Sequence, residues 1–116
     1  MLPETVREFC LTFKGVTESF PFDEDTLVFK VMGRIFALLS LEDHTLNLKC
    51  DPEKAIALRE TYDAVTPGYH MNKKHWNTIQ LTGQVAERLI REWIGESYRL
   101  TVSELPKKIQ ENLKDM

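Results

Sequence analysis

The side chains that could do chemistry are concentrated in one segment, residues 67–79, which holds two histidines, two lysines, two asparagines and two large aromatics. The segment lies within the longest stretch of the chain without Asp or Glu, from Ala64 to Ala86. Lysine, histidine and asparagine side chains bind phosphate oxygens, and aromatic rings stack on bases. The segment therefore predicts, first of all, a surface that binds a polyanion.

The candidate contacts lie in this segment and in a predicted hairpin that precedes it, with Arg34 at the hairpin tip as a second contact resembling a wing. The candidate nucleic-acid-binding residues are Lys30, Arg34, Tyr69, His70, Asn72, Lys73, Lys74, His75 and Trp76. A structural alternative stays open. In that alternative, Trp76 and Met71 fill the core between sheet and helices, the Asn and His side chains bond loop backbone, and the lysines are solvated.

Catalysis and metal binding are not predicted. His70 and His75 are five residues apart, a spacing that does not place both on one helix face. The acidic residues are scattered rather than spaced as ligands. The chain also lacks a Gly-rich phosphate loop, a serine elbow and a pair of carboxylates at a defined separation. We expect no catalytic residue, no metal site and no cofactor.

Length and composition indicate one globular domain that spans residues 1–116. The chain is 42% hydrophobic and 28% charged, which is ordinary for such a domain and allows a single packed core. No apolar run approaches the ~20 residues of a membrane span, and the N-terminus lacks the basic flank of a signal peptide. We expect a cytoplasmic monomer that does not contact membranes, with Cys10 and Cys50 as reduced thiols in the core.

The charge of the chain is unevenly distributed. The net charge of −3 argues against a general affinity for nucleic acid. Residues 1–29, however, hold six acidic and two basic residues, a local charge of −4, whereas residues 64–86 hold two lysines and no acid. A local basic surface is therefore compatible with an acidic protein.

Hydrophobic periodicity predicts helices and strands in an α+β order. The first helix is predicted to begin at Pro3 and to end at Gly15. Ser19 to Phe22 is predicted to be extended. The later elements are predicted strands at 27–31, 35–41, 45–50, 64–66 and 76–81, and predicted helices from 51, from 82 to 102 and from 106.

Strands joined by tight turns indicate an antiparallel sheet. The apolar sides of the predicted helices must be buried, and one face of that sheet can bury them. The fold class predicted is an α+β two-layer sandwich with its helices on one face. We expect the first helix and the long helix to share that face through Val6, Phe9, Phe13, Leu89 and Trp93.

The residues from Pro67 to Trp76 resemble the signature Pro-x-Tyr-His-Met-Asn-Lys-x-His-Trp of the MmcQ/YjbR family. Lys30 to Ala37 is similar to the first strands of that family, and Ser97 to Lys108 to its C-terminal helical segment, so the resemblance covers essentially the whole chain. It implies a CyaY-like (frataxin-like) fold, also called a double-wing DNA-binding domain.

Two hypotheses for function remain open. The first is a DNA-binding domain that binds weakly and without sequence specificity through residues 67–79 and the adjoining hairpin. The second is a non-enzymatic protein-interaction or regulatory module that uses the same loop. Salt dependence separates the two hypotheses, because phosphate contacts release counterions.

Overall fold

In the computed structural model, which describes residues 1–68 and 71–116, the chain forms one sheet and four helices. The strands are β1 (Val16–Ser19), β2 (Thr26–Val31), β3 (Arg34–Ser40), β4 (Thr45–Lys49), β5 (Val65–Pro67) and β6 (Trp76–Gln80). The helices are α1 (Pro3–Cys10), α2 (Pro52–Thr61), α3 (Glu87–Ser103) and α4 (Lys107–Lys114). The strands are antiparallel in the order β1-β2-β3-β4-β6-β5, which confirms the predicted α+β two-layer sandwich.

The helices cover one side of this sheet, here called the helix face. The strand register places five buried side chains in one row across it: Leu27, Leu39, Leu46, Ile79 and Val65. Val6 of α1 and Trp93 of α3 belong to the same core, and Phe9, Phe13 and Leu89 pack against it. The prediction that α1 and α3 share one sheet face is therefore confirmed.

The opposite side of the sheet, here called the open face, carries a smaller apolar cluster. It consists of Val28, Leu38 and Trp76, with Ile35 and Met71 packed against them. Successive strand residues point to opposite faces, so Trp76 and Ile79 of β6 cannot share a face. The structural alternative, in which Trp76 and Met71 fill the core between sheet and helices, is therefore wrong about the face. Trp76 is buried and Met71 packs against it, but both lie on the open face.

An irregularity in β3 explains why this strand is apolar along almost its whole length. The pairing with β2 shifts register between Phe29 and Lys30, which leaves Phe36 as an extra residue on β3. Phe36 and Ala37 are consequently both buried in the core on the helix face, while Leu38 packs on the open face. β3 supplies apolar side chains to both faces and occupies a central position in the sheet.

Three elements have a boundary that differs from the predicted one by more than one residue. α1 ends at Cys10 rather than at Gly15, because the Thr12 hydroxyl donates to the Phe9 carbonyl and closes a turn there. β1 covers residues 16–19, whereas the extended segment was expected at 19–22. α3 begins at Glu87 rather than near residue 82, since Gly83 has a φ of +87° that a right-handed helix does not accommodate.

Both cysteines are free thiols. Cys10 is completely buried, and this burial raises the pKa of its thiol to about 12. Cys50 is half-buried, and its pKa is raised by the same cause. Within residues 1–68 and 71–116, no helix combines the length and the apolar character needed to cross a membrane.

Candidate nucleic-acid interface

The directions of the strands bring the candidate lysines and arginine, Lys30, Arg34, Lys73 and Lys74, to one end of the sheet. The turn that joins β2 to β3 and the loop that leads into β6 both lie at this end. Met32 (φ 49°) and Gly33 (φ 86°) form the turn, and two positive φ values in succession match the hairpin geometry that twisted strands favour. The start of β3 and the start of β6 are separated by two strand spacings, roughly 10 Å.

We call this part of the molecule the basic end and define it by Lys30, Arg34, Lys73 and Lys74. Arg34 and Lys74 are exposed, and Lys30 is half-buried on the open face. Among the residues that the structure describes, Lys30, Arg34 and Lys74 form no ion pair. Lys49 lies between the two halves of this surface, at the end of β4, but its ammonium pairs with a carboxylate of the loop that follows α3. Three cations are therefore available for an external anion.

The other end of the sheet, here called the acidic end, carries Asp23, Glu24, Asp25, Glu42 and Asp43. Hydrogen bonds from the backbone N–H groups of Thr26 and Asp25, at 2.6 and 2.9 Å, lower the pKa of Asp23. The Asp25 carboxylate accepts from the Glu42 N–H at 2.7 Å. These carboxylates hold the turns together while they concentrate negative charge opposite the basic end.

The loop before β6 is stabilised by its own hydrogen bonds. The Lys73 ammonium donates to the Gly68 carbonyl at 3.1 Å, so Lys73 closes the loop across its base. The Asn72 side-chain oxygen accepts the backbone N–H of Lys74 at 2.9 Å. Asn72 and Lys73 therefore make structural contacts, whereas the Lys74 side chain is exposed.

The remaining candidates of the segment differ in their surroundings. Trp76 is only 8% exposed and packs in the apolar cluster of the open face, which leaves little ring surface for stacking on a base. His75 is half-buried, and its carbonyl accepts the Cys50 N–H at 2.7 Å. Tyr69 and His70, the other aromatic and histidine candidates, lie outside the residues that the structure describes.

Gly68 occupies a position where a side chain does not fit. A Cβ atom on Gly68 would lie 2.7 Å from the Cβ of Trp76 and 3.0 Å from its carbonyl oxygen. The Gly68 N–H donates to that same carbonyl at 2.8 Å. The glycine of the segment is therefore required for the close approach of the two ends of the loop.

Arg59 of α2 supports the loop from the helix face. Its Nε donates to the Asn77 side-chain oxygen at 2.6 Å, and its Nη2 donates to the carbonyls of Lys73 and Trp76. Asn77 is 2% exposed, and its amide nitrogen donates to the Ala55 carbonyl at 3.2 Å. The arginine therefore links a helix, a buried amide and the candidate loop.

Sequence reasoning missed Arg59, although β6 carries a signal for such a partner. Asn77 and Ile79 lie two residues apart and so share the helix face. A polar side chain at a core position of a strand needs a buried hydrogen-bond partner. The alternation of β6 thus predicts that a polar group from a neighbouring element meets Asn77.

We expect Arg59→Met to lower the free energy of unfolding by about 1–3 kcal/mol, because it leaves the buried Asn77 oxygen without its partner. Amide exchange near Lys73 should also become faster, since the loop loses a bond to its carbonyl. Urea denaturation and hydrogen exchange measure the two effects. The matched control is Arg88→Met, an exposed arginine on α3 whose replacement should change stability by no more than about 0.5 kcal/mol. Equal losses in the two variants would contradict the supporting role of Arg59.

This chain is similar in sequence to known proteins and in fold to solved structures. The YjbR family model matches residues 11–100. The uncharacterised protein YbdF of Escherichia coli O157:H7 is 36% identical over 97% of this chain and 94% of its own length.

The crystal structure of Deinococcus radiodurans protein DR2400, described there as domain DUF419, superposes with a TM-score of 0.92 at 37% identity over 97% of this chain and 88% of that one. A crystal structure of a Pseudomonas syringae protein gives a TM-score of 0.76 at 26% identity over 87% and 99% of the two chains. The chain belongs to the YjbR family.

Proposed function

We propose that the basic end binds DNA weakly and without sequence specificity, mainly through phosphate contacts. The observation that carries the proposal is the convergence of Lys30 and Arg34, from the β2–β3 hairpin, with Lys74, from the loop before β6, at one end of the sheet. Cations without an internal ion pair are the groups that replace condensed counterions on DNA.

The spacing of these cations supports two points of contact. The hairpin tip and the start of β6 are roughly 10 Å apart, a distance comparable to the groove widths of B-DNA, about 6 and 12 Å. In the proposed complex, Arg34 and Lys74 bind phosphates on either side of a groove. The hairpin then acts as one wing and the loop as the other.

The small number of contacts limits the expected affinity. Three cations give a slope of log K against log salt of roughly −2 to −3 on duplex DNA. We expect dissociation constants no tighter than about 10⁻⁴–10⁻⁶ M near physiological salt, since this is the range of non-specific binding. The carboxylates of the acidic end repel the same polyanion and weaken binding further.

Fluorescence anisotropy with labelled duplex DNA across a range of salt concentrations tests the proposal. We expect the double variant Arg34→Glu with Lys74→Glu to lose detectable binding at low salt. Its matched control, Arg88→Glu with Arg91→Glu, makes the same change in net charge at two exposed arginines. Both lie on the first turns of α3, at the opposite end of that helix from Glu104, the partner of Lys49. The control should keep most of the affinity. No binding at low salt, or equal weakening in both double variants, would overturn the proposal.

The second hypothesis, a protein-interaction or regulatory module that uses the same loop, predicts a different response to salt. A protein interface of mixed polar and apolar contacts loses far less affinity as salt rises than an interface with phosphates. If DNA does not bind at low salt, the interaction module becomes the leading hypothesis.

A further inference from the structure

Exposed apolar side chains concentrate where β1 meets the acidic end of the sheet. Leu2, Phe20 and Leu41 are 66%, 47% and 38% exposed, and all three line a groove of about 810 Å³. The groove also includes Glu18 and Ser19, so it continues directly from β1. Contiguous exposed apolar surface of this kind marks an interaction site more often than scattered apolar residues do.

β1 is an edge strand, so within residues 1–68 and 71–116 only one of its two sides pairs with another strand. The Met32 N–H donates to the Gly15 carbonyl at 3.3 Å, in register with the pair Val16 and Val31. In an antiparallel ladder, hydrogen-bonded and non-hydrogen-bonded pairs alternate. The N–H and C=O groups of Val16 and Glu18 consequently point away from β2, toward the position of an added strand.

Negative charge surrounds the groove. Glu4 and Glu18 line it, and Glu42 and Asp43 directly follow its residue Leu41. The guanidinium of Arg7 neutralises Glu18 through two hydrogen bonds of 2.6 and 2.7 Å. The other three carboxylates form no ion pair within the described part of the chain, so the rim of the groove is acidic.

We propose that the β1 edge and this groove bind an extended basic peptide segment of a partner protein by strand addition. The peptide backbone pairs with Val16 and Glu18, its apolar side chains fill the groove, and its lysine or arginine side chains face the acidic rim. A second copy of the chain fits less well, because a two-fold contact would bring the same acidic rims together. This surface is separate from the basic end and does not depend on DNA binding.

A short synthetic peptide, in which lysine alternates with valine around a central phenylalanine, is the probe. We expect it to shift the backbone amide resonances of residues 16–20 and 41–44 in ¹⁵N-labelled protein. Two control peptides separate the contribution of charge from that of backbone pairing. One has glutamate in place of lysine, and the other has alternate backbone nitrogens methylated. Each should bind about tenfold more weakly, the first through charge repulsion and the second through lost strand pairing.

Two substitutions at Glu18 test the strand edge. Glu18→Ala and Glu18→Pro both remove the ion pair to Arg7, but only proline removes the outward N–H. We expect the proline variant to bind the peptide about tenfold more weakly than the alanine variant. If the proline variant does not fold, Phe20→Ser decides instead, because this exposed side chain contributes to the groove and not to the core.

Three results would overturn the proposal. The first is peptide affinity that is insensitive to both backbone methylation and Phe20→Ser. The second is equally tight binding of the glutamate peptide, which would remove the role of the acidic rim. The third is concentration-dependent dimerisation with shifts at residues 16–20 in the absence of peptide, which would identify a second copy as the occupant.

Discussion

Trp76→Ala is expected to lower the free energy of unfolding by about 3–5 kcal/mol, the range of large-to-small aromatic substitutions at buried sites. The indole is almost fully enclosed and packs against Val28 and Leu38. Its removal leaves a cavity beside these residues and exposes apolar surface on the face opposite the helices. Urea denaturation monitored by circular dichroism measures the change.

The matched control for this substitution is Phe22→Ala. Phe22 is 66% exposed and lies in a second groove on the open face, next to Leu38 and Met71. Because its ring is mostly in water already, its removal should change stability by no more than about 0.5 kcal/mol. A Trp76→Ala variant as stable as the Phe22→Ala variant would show that the open-face cluster contributes little to the fold.

Ser97→Ala is expected to lower the free energy of unfolding by about 2–4 kcal/mol, because it leaves one buried and one partly buried backbone group without partners. Ser97 is fully buried on α3, where its hydroxyl donates to the Phe36 carbonyl at 2.6 Å and accepts the Lys49 N–H at 2.9 Å. These groups lie on β3 and β4, just beyond the last residue pair of their ladder, Ala37 and Leu48. The Ser97 hydroxyl thus bonds backbone groups of β3 and β4 at the point where the pairing between these strands ends, next to the irregularity in β3.

Ser103→Ala provides the comparison for Ser97. The Ser103 hydroxyl bonds the Leu100 carbonyl at the exposed end of the same helix, so its loss should change stability by no more than about 0.5 kcal/mol. Hydrogen exchange of the Lys49 amide is a second measurement, since this amide should lose protection in the Ser97 variant alone. Unchanged protection would mean that another acceptor takes the place of the serine.

The sequence predicted the elements whose signals are local. Asp51 and Pro52 predict a helix start, and the Asp51 carboxylate does accept the Lys54 N–H at 3.3 Å. Leu46 and Leu48 alternate with polar neighbours, and β4 covers them as expected. The end of α1 at Cys10 was not predicted, because the apolar pattern continues past it to Phe13. The turn there is closed by the hydrogen bond from the Thr12 hydroxyl to the Phe9 carbonyl, which the apolar pattern does not reveal.

The candidate site was predictable in part. The sequence predicted a loop followed by a strand that begins at Trp76, and β6 does begin there. Strand directions explain why Lys74 and Arg34 lie at one end of the sheet. The alternation of β6 indicates that Asn77 needs a buried partner, but it does not say which residue supplies it. The support that Arg59 of α2 gives to the loop was therefore missed. The position of Trp76 follows from strand alternation, because Trp76 and Ile79 are three residues apart and so lie on opposite faces of β6.

The separation of the basic end from the acidic end gives the molecule a permanent dipole along its strands. A uniformly acidic protein of the same net charge would approach a charged surface in random orientation. This one experiences a torque, so it meets a negative surface with the β2–β3 turn foremost and a positive surface with the turn between β3 and β4 foremost. Immobilisation on cation-exchange and anion-exchange supports should therefore leave opposite ends of the same sheet accessible to proteases and labels, and the contrast should fade as salt shortens the range of the field.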